Sequence, residues 1–259
     1  MVDITDRLRA TLDQLQLLND RIRGSAPVTA PTTGAAAAGY VRPGRGVSGT
    51  SAIDALPATG PGLQLTTPAD KPLVDAMVAQ LRTTATGSRI IADIERVGAK
   101  VTVLDDAQFA AAGHGESGAY YDPPTDTMYV RRSDLQSEPR RAAATFAHEA
   151  THALDDAGGV GKSYIDQKSA AAAAAGTLTA ATVEQLGVEL SLAKEARAFT
   201  VQATILRELG ETPTGILADV VRTGANDLAT YRTVFTMLSD AGKAGGYNTT
   251  GVKVAPFEL

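Results

Sequence analysis

The sequence predicts an α+β fold: a small mixed sheet with a helical C-terminal part, preceded by an N-terminal helix and an extended arm. Three observations lead there. Apolar residues recur at helical spacing over most of the chain from residue 70 onward, period-two alternation is confined to residues 100–106 and 118–132, and residues 25–67 show neither pattern. With 259 residues, 44% of them hydrophobic, the chain has enough apolar material to bury a core.

At the N-terminus Ile4, Leu8, Leu12, Leu15, Leu18 and Ile22 fall at steps of four and three, one stripe of an amphipathic helix that Asp3 can cap. So few turns rarely persist alone, so residues 1–24 are expected either to fold back onto the domain or to dock on a partner. Residues 25–67 are rich in Ala, Gly, Pro, Ser and Thr and read as a linker or arm. The folded domain is expected to span 68–259. Within it, residues 70–84 and 88–97 carry helical periodicity, with Gly98 as a stop. KVTVLDD, 100–106, alternates as a strand. GAYYDPPTDTMYVRR, 118–132, reads as two short strands around the turn Asp122-Pro123-Pro124-Thr125-Asp126. A helix then starts after Ser133 or Ser137, with Glu138 and Pro139 suited to its first turn, and runs to Gly158-Gly159. Helical stretches at 163–175, 179–210 and 225–241 complete the C-terminal part.

Lys and Arg total 24 against 29 Asp and Glu, a net charge of −5. That balance leaves no basic footprint for nucleic acid or anionic lipid, so the expected partners are a peptide or protein substrate, with no nucleic acid and no membrane. The first 24 residues are charged throughout, unlike the apolar core of a secretory signal, and no segment reaches the roughly 18–20 apolar residues that cross a bilayer. The expected location is the cytoplasm, a virion, or the exterior reached by a non-classical route. Abundant Ala, Thr and Gly point to a GC-rich bacterial or phage genome. Cysteine is absent, so any metal site must be built from His and carboxylate ligands.

Two of the three histidines stand in TFAHEATHALDD, residues 145–156. On a helix, positions i and i+4 share a face one turn apart, so His148 and His152 can turn their imidazoles onto one ion, with Glu149 beside them. A zinc ion held this way lowers the pKa of a bound water toward about 7, and the neighbouring carboxylate can take its proton.

A catalytic zinc keeps three protein ligands and one open position. His114, in the Gly-rich AAGHGESG, reads first as a loop-surface residue. In VELSLAKEARAFTVQATILREL, Glu195 has Ala196, Ala198 and Phe199 about it, small and apolar neighbours that suit close approach of another helix. An inward carboxylate is costly without a cation. Glu195 is therefore the leading third ligand. The competing reading makes it a solvated acid paired with Lys194 or Arg197, and Glu189 is the reserve.

Taken together, "GAYYDPPTDTMYV…TFAHEATHALD…KEARAF" resembles the gluzincin branch of the zincin metallopeptidases, in the manner of small bacterial metallopeptidase domains, over residues 87–210. The resemblance implies a zincin-like domain in which His148, His152 and Glu195 bind Zn2+ and Glu149 is the general base. It implies too that Gly118, Ala119 and Tyr120 belong to the edge strand that holds substrate backbone in extended form. The metzincin pattern fails, because its Gly and His after HExxH are Asp155 and Gly158 here.

This chain departs from the thermolysin-like pattern at Phe199, where that pattern has an acid that orients a ligand histidine. Asp155 or Asp156 can take that role. For the oxyanion-stabilising residue, a Tyr or His in gluzincins, the candidate is Tyr231, with Tyr164 second. The expected function is zinc-dependent peptide-bond hydrolysis by a metal-activated water. The alternative is an assembly protein of a phage particle or secretion machine, using a zincin-like domain as a docking module and residues 1–67 to bind a protein assembly partner; fold alone does not guarantee activity.

Overall fold

Small residues put one helix at the centre of this molecule. In the computed structural model, which describes residues 60–257 apart from 116, 214–216, 219–226, 243–246 and 249, together with Leu259, the elements follow in chain order. They are β1 (Gln64–Leu65), a 3-10 turn (Pro68–Asp70), α1 (Lys71–Arg82), α2 (Ala85–Val97), β2 (Lys100–Leu104), α3 (Asp106–Ala111), β3 (Ala119–Asp122), β4 (Thr127–Arg131), α4 (Arg132–Ser137), α5 (Pro139–Ala157), α6 (Val160–Ala174), α7 (Ala180–Glu208) and α8 (Asp227–Asp240). The expected N-terminal helix and most of the arm lie outside the described residues. The fold is α+β, with eight α-helices among the described residues and a four-stranded mixed sheet.

Helix α5 carries the histidine motif. Its Ala142, Ala143, Ala144, Ala147, Ala150 and Ala153 are all buried, and without long side chains there the backbone can lie close to several neighbours at once. It packs against α1, α2, α7 and the strands β3 and β4. Phe146 and Leu154 supply its bulk, both fully buried. Pro139 in the first turn starts it, as its missing N–H loses no helical bond there.

The strand order is β1-β2-β4-β3, with β1, β2 and β4 parallel and β3 antiparallel to β4. The hairpin predicted around residues 122–126 forms, with Asp126 in the left-handed region at φ 50. Period-two alternation turns Val101, Val103, Met128, Val130, Ala119 and Tyr121 inward, where they are buried. The outer face carries Thr102, Tyr129 and Tyr120, paired across the sheet by register.

The predicted boundary at Pro68 falls too late. Gln64 and Leu65 pair with Lys100 and Val101, and Gly60 lies so close to α2 that a Cβ there would stand 2.3 Å from the Arg96 Cα. Two residues of strand are too few for alternation to show, and the surrounding Gly and Pro gave the segment an arm-like composition. Helix α3 was also unforeseen, although its capping box is written in the sequence: Asp105 accepts from the Gln108 N–H at 2.8 Å, and the Gln108 side chain accepts from the Asp105 N–H at 2.9 Å. The long α7 is anchored at its far end by Glu208, whose carboxylate accepts from the Thr86 N–H and Oγ1–H in the first turn of α2, each at 3.0 Å.

Candidate metal centre

Helices α5 and α7 pack against each other, and at one point along that contact three side chains converge. His148 Nε2 and His152 Nε2 lie 3.2 Å apart. Glu195 brings Oε2 to 3.4 Å from the first and Oε1 to 3.5 Å from the second. His148, His152 and Glu195 are a group whose ligand atoms could hold one metal ion. Glu189, the reserve, lies elsewhere: it accepts from the Tyr164 hydroxyl at 2.7 Å and from Gln185 Nε2 at 3.3 Å.

The spacing fits zinc. With N and O ligands at about 2.0–2.1 Å, neighbouring corners of a tetrahedron stand about 3.3–3.4 Å apart, and the three edges measured here are 3.2, 3.4 and 3.5 Å. Two imidazoles and one carboxylate are also a donor set that zinc accepts. Nε2 is the His148 nitrogen turned to the group; its Nδ1 is buried without a hydrogen-bond partner, unlike the usual ligand histidine, which donates that N–H to an acceptor.

The electrostatics follow from the clustering. Burial pushes the Glu195 carboxyl up, but the His152 and His148 imidazoles outweigh it and hold the group well below its ordinary range. For His152, burial lowers the pKa, and the Glu195 carboxylate, helped by Glu149, more than reverses that and raises it. These shifts express negative and positive charge drawn to one spot, which a cation would take over.

Glu149 projects from the same helix toward β3, and its Oε2 accepts from the Tyr121 N–H at 2.9 Å. This bond also identifies the outer edge of the sheet among the described residues. The Arg131 N–H donates to the Gly118 carbonyl at 2.9 Å, so in the alternating antiparallel ladder Gly118, Tyr120 and Asp122 turn their backbone groups to β4, while Ala119 and Tyr121 turn theirs outward. Of the three residues expected on the substrate edge, Ala119 faces it, Gly118 enters the strand beside it, and Tyr120 does not. The Tyr120 side chain is on the opposite face, stacked between His114 at 3.8 Å and Tyr129 at 4.6 Å between ring centroids. Tyr121 is the edge residue that the sequence reading missed, by one step of the period-two register. A Cβ on Gly118 would lie 2.6 Å from Asp134 Oδ2, a side-chain end that would have to move aside.

No family model, curated protein or solved structure matches this chain. The residue roles therefore rest on geometry.

Several expected roles move. Tyr231 donates its hydroxyl to the Phe257 carbonyl and its ring belongs to the hydrophobic core, a packing role. Tyr164 bonds Glu189 and stacks on Phe257 at 5.4 Å. Among the described residues, Tyr247 is a tyrosine in the field of the site. Its ring meets Phe199 edge-on at 6.4 Å, and burial, then the Glu195 and Glu149 carboxylates, push its phenol up to about 12. It stands in AGGYNTTG, where no pattern marks it.

Phe199 takes the place of an orienting acid, its ring 4.5 Å from that of His148. Of the two acids expected to orient a ligand histidine, Asp155 lies in the field of His152. Asp155, fully buried, pairs with Arg197 at 2.8 Å, and Asp156 pairs with Lys194 at 2.8 Å. Both pairs join α5 to α7 next to the site, so these acids fix the helix spacing that brings Glu195 to the histidines. His114 stacks on Tyr120 and belongs to the outer face.

Among the described residues no helix is both long and apolar enough to cross a membrane.

Proposed function

We propose that this chain is a zinc-dependent peptidase of zincin-like architecture, with His148, His152 and Glu195 as metal ligands and Glu149 as general base. The observation that carries the reading is the three-atom group with near-tetrahedral edges, flanked by a carboxylate that is hydrogen-bonded to the outer edge of β3. Bound zinc would supply Lewis-acid polarisation of water and of the substrate carbonyl.

The rest of the chemistry falls to the chain. The outward backbone groups of Ala119 hold an extended peptide beside the site, as in strand addition. Glu149 takes the proton from the attacking water as its oxygen bonds to the carbonyl carbon. It then delivers that proton to the amide nitrogen, the C–N bond breaks, and the products are a carboxylic acid and an amine. Tyr247 keeps its proton at neutral pH and is the phenol in the electrostatic reach of Glu149 and Glu195, suited to donate a hydrogen bond to the oxygen on which charge develops.

The test is metal content by mass spectrometry of purified wild type beside His148→Ala and Glu195→Ala, followed by cleavage of a peptide pool with Glu149→Gln as control. Near-stoichiometric zinc in wild type, absent from both variants, with cleavage lost in Glu149→Gln, is the expected result. A wild type that takes up no zinc from excess metal would end the proposal.

A further inference from the structure

The α5–α7 contact does not stop at the metal ligands. On α5, Thr145, His148, Glu149 and His152 share one face by their spacing of three and four; on α7, Glu195, Phe199, Gln202 and Leu206 do the same. Beyond the histidine group, Gln202 Nε2 donates to Thr145 Oγ1 at 3.3 Å. There a cavity of about 220 Å³ opens, lined by Arg141, Thr145, Gln202, Leu206, Pro213 and Leu217. At roughly 30 Å³ per water it holds the equivalent of about seven waters, room for a side chain of several heavy atoms.

Its position relates it to the site. Thr145 lies about 4.5 Å along the helix axis from His148, little more than one residue of extended chain at about 3.3 Å. Thr145 also adjoins the start of β3, where a Cβ on Gly118 would be 3.8 Å from its Cγ2. Thr145 thus places the cavity beside both the histidine face of α5 and the start of β3, along which an added peptide would run.

The lining selects by charge and by hydrogen bonding. Arg141 is neutralised by Glu138 at 3.2 Å and Glu211 at 4.0 Å, and Arg140 pairs with the same Glu211 at 3.5 Å. An entering carboxylate would compete with Glu138 and Glu211 for Arg141, and an entering ammonium would meet Arg140 and Arg141, so neither charge is favoured over an uncharged side chain. Leu206, Leu217 and Pro213 make an aliphatic wall. On the polar side the Gln202 amide spends a donor on Thr145, leaving its carbonyl to accept and the Thr145 hydroxyl to donate. We propose that this cavity receives the side chain adjoining the cleaved bond and selects an uncharged side-chain amide of glutamine size. The proposal rests on the peptidase reading for the position of the bond, and on the cavity for the selectivity.

The test separates the two. Binding of acetyl-Ala-Ala-Ala-Xaa-Ala-Ala-amide, with Xaa as Gln, Leu, Glu or Lys, is measured by calorimetry on zinc-incubated Glu149→Gln protein, and the cut is mapped by mass spectrometry with wild type. The Gln peptide should bind roughly ten-fold tighter than the Glu and Lys peptides, with the cut at a bond adjoining Gln. Adding Gln202→Glu should turn the preference toward Lys, and adding Thr145→Val should weaken the Gln peptide while sparing the Leu peptide. Equal affinity for all four peptides, or an unchanged ranking in both variants, overturns the selectivity. A Gln preference with no cleavage by wild type overturns the peptidase reading, and with it the assignment to a cleaved bond.

Discussion

The main-chain N–H of Tyr121 donates to Glu149 Oε2 at 2.9 Å, which couples the outer edge of the described sheet to the carboxylate beside the two histidines. Glutamine can accept the same bond through its amide oxygen and cannot take a proton from water. Glu149→Gln should therefore bind zinc as wild type does and melt within about 1 °C of it, while peptide cleavage falls by roughly 10²–10⁴-fold, the usual contribution of a positioned base. Metal content, a melting curve and a cleavage rate on one preparation check this; retained cleavage would remove Glu149 from the mechanism.

Metal and stability should be linked. Anything that binds only the folded chain stabilises it, by about 2.7 kcal/mol at a hundred times the Kd, which for a domain of this size is a rise in Tm of roughly 5–10 °C. Zinc should raise the Tm of wild type and a chelator should reverse it. His148→Ala and Glu195→Ala should show no such rise. Differential scanning calorimetry with and without zinc is the measurement, and a Tm of wild type indifferent to zinc would contradict the site.

The two tyrosines should separate cleanly. Tyr247→Phe is expected to lower kcat by roughly 10²-fold with little change in KM, as for loss of one donor to a developing oxyanion. Tyr231→Phe deletes the bond to the Phe257 carbonyl and should lower Tm while leaving kcat close to wild type. Steady-state kinetics and melting of both variants decide; the opposite pattern would restore Tyr231 to the site.

Breaking the pair of Asp155 and Arg197, exposed by only 0% and 5%, removes the carboxylate that faces a buried guanidinium. Asp155→Ala should cost about 3–5 kcal/mol, whereas replacing both residues together with Leu and Met should cost much less. Urea denaturation of the single and double variants reads the difference. A small cost for Asp155→Ala would mean that the pair does not set the α5–α7 spacing.

Alkaline titration has a definite sign. Burial, joined by neighbouring tyrosine or carboxylate groups, raises the phenols of Tyr120, Tyr121, Tyr164 and Tyr247, those of Tyr120 and Tyr247 to about 12. The unfolded chain ionises its phenols near the ordinary value of about 10. The folded state holds these protons longer, so the stability they contribute is intact below pH 10 and is lost as pH rises toward 12. Absorbance at 295 nm should show four tyrosines lagging in the folded protein and titrating normally in denaturant. Phenolate formation complete by pH 10 without unfolding would refute the burial assigned to them.

The sequence by itself determined most of the local structure, for local reasons. Apolar spacing marked the long helices, Gly98 the stop of α2 with its positive φ of 70, and Asp122 to Asp126 the hairpin turn. His148, Glu149 and His152 were legible because one helix fixes their relation, whatever surrounds it. Glu195 was readable only as an inward acid in a small-residue stretch, since 42 intervening residues must fold before it meets the histidines. Tertiary structure alone decided what depends on neighbours far along the chain or on a one-residue register. It put β1 into the sheet, gave the outer edge to Ala119 and Tyr121 in place of Tyr120, bound Asp155 to Arg197, withdrew Tyr231 into the core and brought Tyr247 toward the carboxylates. Periodicity says which face of an element is buried; only packing says which residue of another element meets it.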